Sequence, residues 1–175
     1  SNKKPARVLA KIKKYESIID NIQLEIDTFL EKVISSGAGD EDSKMSLRYL
    51  QLSSLLEQVA DNIDNFSTFL TKYYEQWELS ADEKIELISH FDEVFKLYDR
   101  CYDIFTDKAN FDVNSQSLVD RSIELKQTIL DQRISFINEH EGDDPLKHLA
   151  FSDIIVTLAK LRGRVRDIYV TLHRK

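Results

Sequence analysis

The stretch that decides the fold is residues 8–33, VLAKIKKYESIIDNIQLEIDTFLEKV. Its apolar residues recur at alternating spacings of four and three, at Val8, Ile12, Tyr15, Ile19, Ile22, Ile26, Phe29 and Val33. This is the period of one face of an α-helix and of a coiled-coil seam. Gly37 and Gly39 interrupt the pattern, as expected at a helix end. The stretch therefore predicts a helix over residues 5–36 with an unbroken apolar seam.

Working outward, the same period predicts four more helices, over residues 42–78, 81–107, 115–140 and 145–173. The second has its seam at Leu52, Leu55, Val59, Ile63, Phe66, Leu70, Tyr73 and Trp77. The third has its seam at Ile85, Ile88, Phe91 or Asp92, Phe95, Tyr98, Tyr102 and Phe105. Ser80 and Glu83 form a capping-box pattern before the third helix. Asp144 and Pro145 match an N-cap followed by the first helical residue.

Nothing in the sequence alternates like a β-strand between turns. The first two helices exceed 30 residues, so each extends about 45 Å or more. The short glycine-containing turn between them makes them antiparallel neighbours. The expected fold is therefore an all-α, elongated antiparallel bundle of about five long helices.

The second and fifth helices share a weak internal repeat. Residues 56–66, LEQVADNIDNF, and residues 158–168, LAKLRGRVRDI, coincide at four apolar positions. The first helix precedes the second and the fourth precedes the fifth, so each of the two similar helices follows another long helix. The third helix does not belong to such a pair. Two three-helix units, with the first helix of the first unit missing, would produce this order.

Composition excludes several classes of protein. The chain has 175 residues, a formal net charge of −7 and a single cysteine, so an internal disulfide and a cysteine-rich zinc site are excluded. A pI near 5.1 disfavours nucleic acid as a partner. No apolar run approaches the roughly 18 residues of a membrane span. Residues 1–4 are interpreted as a tag scar, Ser1-Asn2, followed by a basic lead-in, so we expect a domain cut from a longer protein.

Two acidic stripes are the candidate ligand positions. Glu16 and Asp20 lie four residues apart, and Glu57 and Asp61 repeat that spacing on the second helix, followed by Asp64. Residues four apart share a helix face, so two antiparallel helices can bring the stripes together. Such an oxygen-rich site suits Mg²⁺, Ca²⁺, Mn²⁺ or iron. The alternative is that these acids simply face solvent, as on any amphipathic helix.

Other chemistries have little support. The four histidines lack the spacing of a zinc site, and each is expected at the surface. Cys101 is expected to be a small core residue. Nucleophile elbows, phosphate loops and dinucleotide fingerprints are absent from the sequence, so we expect a protein that is not an enzyme.

The acidic helices resemble a known family. The first helix carries Tyr15-Glu16-Ser17-Ile18-Ile19-Asp20, and the second carries Leu56-Glu57-Gln58-Val59-Ala60-Asp61 followed by Asn62 and Asn65. This resembles the PhoU regulators of phosphate uptake, whose hallmark is Glu-x-x-x-Asp on successive long helices of repeated three-helix bundles. The similarity is greatest to the PhoU-type domain that follows the membrane part of bacterial Na⁺/phosphate symporters. It implies two units, residues 5–78 and 79–175.

The resemblance also implies metal binding. It makes Glu16, Asp20, Glu57 and Asp61 the ligands of a divalent or iron-type metal ion, with iron or zinc the metals of the family. The second unit departs from the pattern, because Ala159 and Gly163 stand where the second acidic motif belongs. Asn62 replaces a common histidine, and Gln127 with Asp131 offers only a partial substitute. A second metal site is therefore expected to be lost.

Two segments of the chain are rich in basic residues. Residues 1–14 contain six lysines and arginines and no acid, which suits the cytoplasmic exit of a membrane helix near anionic lipid or a solvated helix start. The fifth helix and its end carry Lys160, Arg162, Arg164, Arg166 and Arg174. That cluster would bind phosphate, a nucleotide or an acidic segment, or would pair with acids of the fourth helix such as Glu124, Asp131 and Glu139.

The resemblance implies a non-enzymatic regulatory domain of phosphate uptake, at the cytoplasmic face of the bacterial inner membrane, within a Na⁺/phosphate symporter. Expected partners are the membrane part of the transporter, in the same or another chain, and a sensor or regulatory protein; a homodimer is left open. One alternative is a free-standing PhoU-like signalling adaptor. Another is a helical scaffold that binds neither metal nor phosphate.

Overall fold

Five long α-helices make up most of the described part of the chain. The computed structural model describes residues 3–37 and 39–173, with side chains from Ala6 onward. The helices are α1 (Lys3–Ser35), α2 (Asp40–Tyr74), α3 (Ala81–Phe105), α4 (Val113–Glu139) and α5 (Pro145–His173). Within the described ranges no residue is in a β-strand, so the all-α class is confirmed. The interpreted scar, Ser1-Asn2, lies outside those ranges.

Side-chain caps are present at the starts of α3 and α5. At the start of α3, the Ser80 hydroxyl accepts a hydrogen bond from the Glu83 backbone N–H at 3.2 Å, and the Ser80 N–H donates back to the Glu83 carboxylate. At the start of α5, Asp144 accepts a bond from the Leu146 N–H at 2.9 Å. The predicted helix bounds agree with the structure to within two residues, except that α2 ends at Tyr74 instead of residue 78. A turn follows, in which the Trp77 N–H bonds the Tyr73 carbonyl.

The helices pack as a hairpin on a three-helix bundle. α3, α4 and α5 contact one another, α2 packs along α5, and α1 packs along α2. α5 is the most buried helix, with Phe151, Ile154, Ile155, Leu158 and Leu161 fully enclosed. The predicted seam of α2 joins this core, as expected for a helix placed between α1 and α5. The core therefore runs through both predicted units.

The seam of α1, the most regular in the sequence, is not in the core. Among the described side chains of α1, Leu30 is the one that is buried. Val8 is 51% exposed and Phe29 is 65% exposed. The physical reason is that α1 packs against a single helix, α2, which covers only the edge of the seam.

The predicted seam of α3 is also mostly uncovered. The buried residues of α3 are Leu87, His90, Val94, Leu97, Cys101 and Ile104. They form a face of the helix that is rotated away from the predicted seam. Ile85, Ile88, Tyr102 and Phe105 are exposed. Because α3 packs on α4 and α5, the face toward those helices is buried instead. The expectation that His90 lies at the surface was wrong, and the expectation that Cys101 is a core residue is confirmed.

Candidate functional site

The acidic stripes of α1 and α2 lie along the contact between these two helices. Glu16 and Asp20 are one turn apart on α1, and Glu57 and Asp61 are one turn apart on α2. Glu16 and Glu57 are half-buried, whereas the two aspartates are exposed. The hairpin places the two pairs on neighbouring helices, and negative charge on each helix raises the pKa of a glutamate on the other.

The clustering of negative charge changes the acidity of both glutamates. The pKa of Glu16 is raised by partial burial and then by Asp20, with smaller contributions from Asp61 and Asp64 on α2. The pKa of Glu57 is raised by burial, then by Asp61, and then by Asp20 on α1. Each glutamate therefore responds to the acids of the opposite helix, so the two stripes form one electrostatic unit.

Among the described residues, no basic side chain forms an ion pair with a carboxylate of α1 or α2. The ion pairs within the described part of the chain all involve α3, α4, α5 or the turns between them. In addition, one carboxylate oxygen each of Asp27 and Asp64 is buried without a hydrogen-bond partner in the described structure. We call the set Glu16, Asp20, Glu57, Asp61 and Asp64 the acidic cluster. Its uncompensated charge would attract a cation.

The acidic cluster does not close around a single point. Across residues 3–37 and 39–173, no group of three or more His, Cys, Asp or Glu side chains is arranged to hold a metal ion. Asn62, at the position of a common histidine of the PhoU family, donates a hydrogen bond to the Gln58 carbonyl of its own helix at 2.6 Å. The donor chemistry fits a hard cation, but the present arrangement does not fit a metal cluster. The four-ligand site therefore stays a prediction.

In the second unit, α5 lacks carboxylates at the two positions of the acidic motif. Ala159 packs against the core, and a side chain at Gly163 would meet no atom within 4 Å, so packing does not require glycine there. On α4, the Gln127 amide donates to Asp131 at 2.7 Å. These two side chains, considered a partial substitute, bond each other at an exposed surface.

The basic residues of α5 differ in their burial and in their hydrogen-bond partners. Arg162 is buried and donates to the backbone carbonyl of Ser122 on α4 at 2.9 Å, rather than to one of the predicted acids. Arg164 approaches Asp167 of its own helix at 3.5 Å. Burial lowers the pKa of Arg162, and the nearby charge of Arg166 lowers it further. Arg174 lies outside the described residues.

Sequence reasoning missed a charged cluster where α3, α4 and α5 meet. His140 bonds Glu83 at 2.9 Å, and Lys147 donates to Asp143 at 2.7 Å and to His140 Nδ1 at 3.2 Å. Burial alone would raise the pKa of Glu83, but its hydrogen bonds with His140 and Ser80 outweigh that effect and lower it. These bonds tie the start of α3 to the turn before α5. The capping box was the only signal in the sequence, because Glu83 and His140 are 57 residues apart.

Comparison of the sequence with profiles of known protein families gave no match, and searches of characterised proteins and of solved structures gave none either. What the fold and site define is therefore an all-α bundle with an acidic cluster between its first two helices. Among the described residues, none of the helices combines the length and apolarity that crossing a membrane requires.

Proposed function

We propose that this chain is a non-enzymatic regulatory domain of phosphate uptake, of the PhoU type, at the cytoplasmic face of a bacterial Na⁺/phosphate symporter. The observation that carries the proposal is the acidic cluster. The Glu-x-x-x-Asp pairs on which the resemblance rests lie on successive antiparallel helices and act on one another across the helix contact.

The regulatory step in this proposal is a change in helix contacts. α1 packs on α2 alone, so the acids between them repel across a contact that the rest of the fold does not reinforce. A cation bound there would reduce the repulsion and strengthen the α1–α2 contact. The basic start of α1, with Arg7, Lys11 and Lys14, would face anionic lipid beside the transporter.

The direct test is phosphate uptake. A strain lacking the gene is complemented with the wild-type gene, with Glu57→Ala/Asp61→Ala, or with Asp120→Ala/Glu124→Ala. The last variant removes an exposed acidic pair with the same spacing from α4. We expect deletion and the α2 variant to alter the rate of phosphate uptake, and the α4 variant to behave as wild type. Uptake that is unchanged by deletion would refute the proposal.

Metal content is tested separately, by elemental analysis of protein purified without chelator. Stoichiometric iron, manganese or zinc that is lost in Glu57→Ala/Asp61→Ala but kept in the α4 variant would support a metal-dependent domain. No metal in any variant, even after loading, would remove the metal site. Regulation would then depend on protein contacts alone.

A helical scaffold that binds neither metal nor phosphate is the second candidate. It is favoured by Ala159 and Gly163 at the positions of the second acidic motif. A scaffold would show wild-type phosphate uptake in the Glu57→Ala/Asp61→Ala strain. A free-standing adaptor is distinguished by immunoblotting of cell fractions, which would find the protein in the soluble fraction instead of the membrane fraction.

A further inference from the structure

An open apolar groove runs between α1 and α3, with α2 as its floor. It consists of two adjoining cavities of about 410 Å³ and 650 Å³, which share Ile26, Ser53, Leu56 and Tyr98 in their walls. Its walls are the seams of α1 and α3 that the core leaves uncovered. The most regular apolar pattern of the sequence therefore faces this groove.

The side chains along the groove are large and exposed. On α1, Ile22 is 51% exposed and Phe29 is 65% exposed. On α3, Tyr102 is 53% exposed and Phe105 is also exposed. A continuous apolar surface of this kind is typical of a protein interface. Its length and its two helical walls suit one further helix.

The charge of α1 changes sign along its length. Residues 6–15 contain Arg7, Lys11, Lys13 and Lys14 and no acid, whereas residues 16–31 contain Glu16, Asp20, Glu25, Asp27 and Glu31 and no base. The basic start of α1 opposes the helix macrodipole, whereas Lys32 in its last turn agrees with it. When two copies of α1 lie antiparallel about a point near residue 20, the basic residues 11–14 of each copy lie opposite residues 25–28 of the other, which include Glu25 and Asp27, while residues 16–23 of the two copies face each other.

We propose that the groove is the homodimer interface of this protein, with α1 of each copy lying antiparallel to α1 of the other and seated in its groove. A two-fold axis crossing α1 between Ile19 and Asp20 makes the contact isologous. Ile22 then lies near the axis and is buried by both copies. Lys14 of one copy lies opposite Glu25 of the other. Glu25 borders the groove, and both side chains are exposed in the single chain.

The charge pattern favours a second copy over an anionic membrane. An anionic membrane would attract the basic half of α1 and repel its acidic half, including Glu16 and Glu25, which line the groove. A second copy instead places Lys14 opposite Glu25, on both sides of the axis. The proposal does not depend on the proposed role in phosphate uptake, and it can fail or succeed independently of that role.

The apolar part of the interface is tested by light scattering after size exclusion and by sedimentation equilibrium. Wild type is expected to be a dimer at micromolar concentration. Ile22→Asp is expected to raise the dissociation constant by at least about tenfold. Ile134→Asp is the matched control, since Ile134 is equally exposed but lies on α4, and it is expected to dimerise as wild type. Circular dichroism verifies that both variants fold.

Charge reversal tests the antiparallel register. Lys14→Glu places two acids opposite each other twice in the dimer and is expected to weaken it, more strongly at low salt. Lys14→Glu/Glu25→Lys restores opposite charges in both pairs and is expected to recover dimerisation. In this double variant, both changes are in the same chain, so dimerisation recovers only if residue 14 of one copy faces residue 25 of the other.

Three results would overturn the proposal. The first is wild type that remains a monomer at all concentrations. The second is a dimer that Ile22→Asp leaves intact, since another face would then carry the contact. The third is a monomer that co-sediments with vesicles of phosphatidylglycerol and phosphatidylethanolamine in an Ile22-dependent manner, since lipid would then occupy the groove.

Discussion

The carboxylates between α1 and α2 repel one another when they are ionised. The pKa of Glu57 is raised by burial and by Asp61 and Asp20. The folded chain therefore binds more protons than the unfolded chain in the range just above the ordinary glutamate pKa. The destabilisation is present at neutral pH and is relieved as the pH falls through the raised pKa.

Replacing Glu57 with glutamine is therefore expected to stabilise the protein. We expect Glu57→Gln to raise the free energy of unfolding at pH 7 by about 0.3–0.5 kcal/mol, the size of a like-charge pair one helical turn apart. The gain should shrink near pH 4, where the wild-type carboxyl is protonated. Urea denaturation at both pH values measures this.

The control for this prediction is Glu124→Gln, which removes an exposed carboxylate of α4. It is expected to change the free energy of unfolding less than Glu57→Gln does at pH 7. A Glu57→Gln variant that is less stable than wild type at pH 7 would contradict the repulsion argument and would indicate an attractive partner for this carboxylate.

Cys101 is expected to be unreactive in the folded protein. It is 2% exposed, and burial raises the pKa of its thiol to about 12. The thiolate, which is the reactive form, is then scarce at pH 8. A thiol-reactive chromogenic disulfide should modify folded protein at least about a hundredfold more slowly than protein in guanidinium chloride. Comparable rates in both conditions would show that α3 opens readily.

At the scale of elements, the start of α3 is stabilised by a capping box that also belongs to a tertiary contact. Glu83 bonds both the Ser80 N–H and His140. These bonds lower the pKa of Glu83 against the opposing effect of burial. The stability they contribute is therefore present at neutral pH and is lost as the pH falls through the lowered pKa.

Removing the cap should have a measurable cost. Ser80→Ala is expected to lower the free energy of unfolding by about 1 kcal/mol, because the Glu83 backbone N–H loses its acceptor. Ser117→Ala is the control, since Ser117 is an exposed serine inside α4, where alanine is the better helix former. Thermal and urea denaturation measure the stability of both variants. Equal stability of Ser80→Ala and wild type would mean that solvent satisfies this N–H as well as serine does.

At the scale of the whole molecule, stability is unevenly distributed. α5 contacts three helices and is the most buried, whereas α1 contacts α2 alone. Elements with few buried contacts open more readily than the core. We therefore expect backbone amides of α1 to exchange hydrogen at least about tenfold faster than those of α5 in dilute protein, as measured by exchange mass spectrometry.

The concentration dependence of this exchange supplies the control. If two copies pair through α1, amides of α1 become slower as the protein concentration rises, while amides of α5 do not. Exchange in α1 that is as slow as in α5 at every concentration would contradict the uneven distribution of stability.

The acidic cluster could be foreseen in part. The spacing of Glu16 with Asp20 and of Glu57 with Asp61 predicts that each pair shares a helix face, and the structure brings the two pairs within electrostatic reach. The contact of Glu83 with His140 could not be foreseen, because it depends on how three helices meet and not on any local pattern.

The sequence by itself determined the five helices, most of their ends and the all-α class, because helical period, glycine turns and capping residues act over only a few residues. The tertiary structure alone decided which apolar face of each helix is buried. An apolar seam shows only that a helix packs against another surface. How much of the seam is buried depends on how many neighbouring helices surround it. Since α1 has a single neighbour within the chain, its seam is left open at the surface.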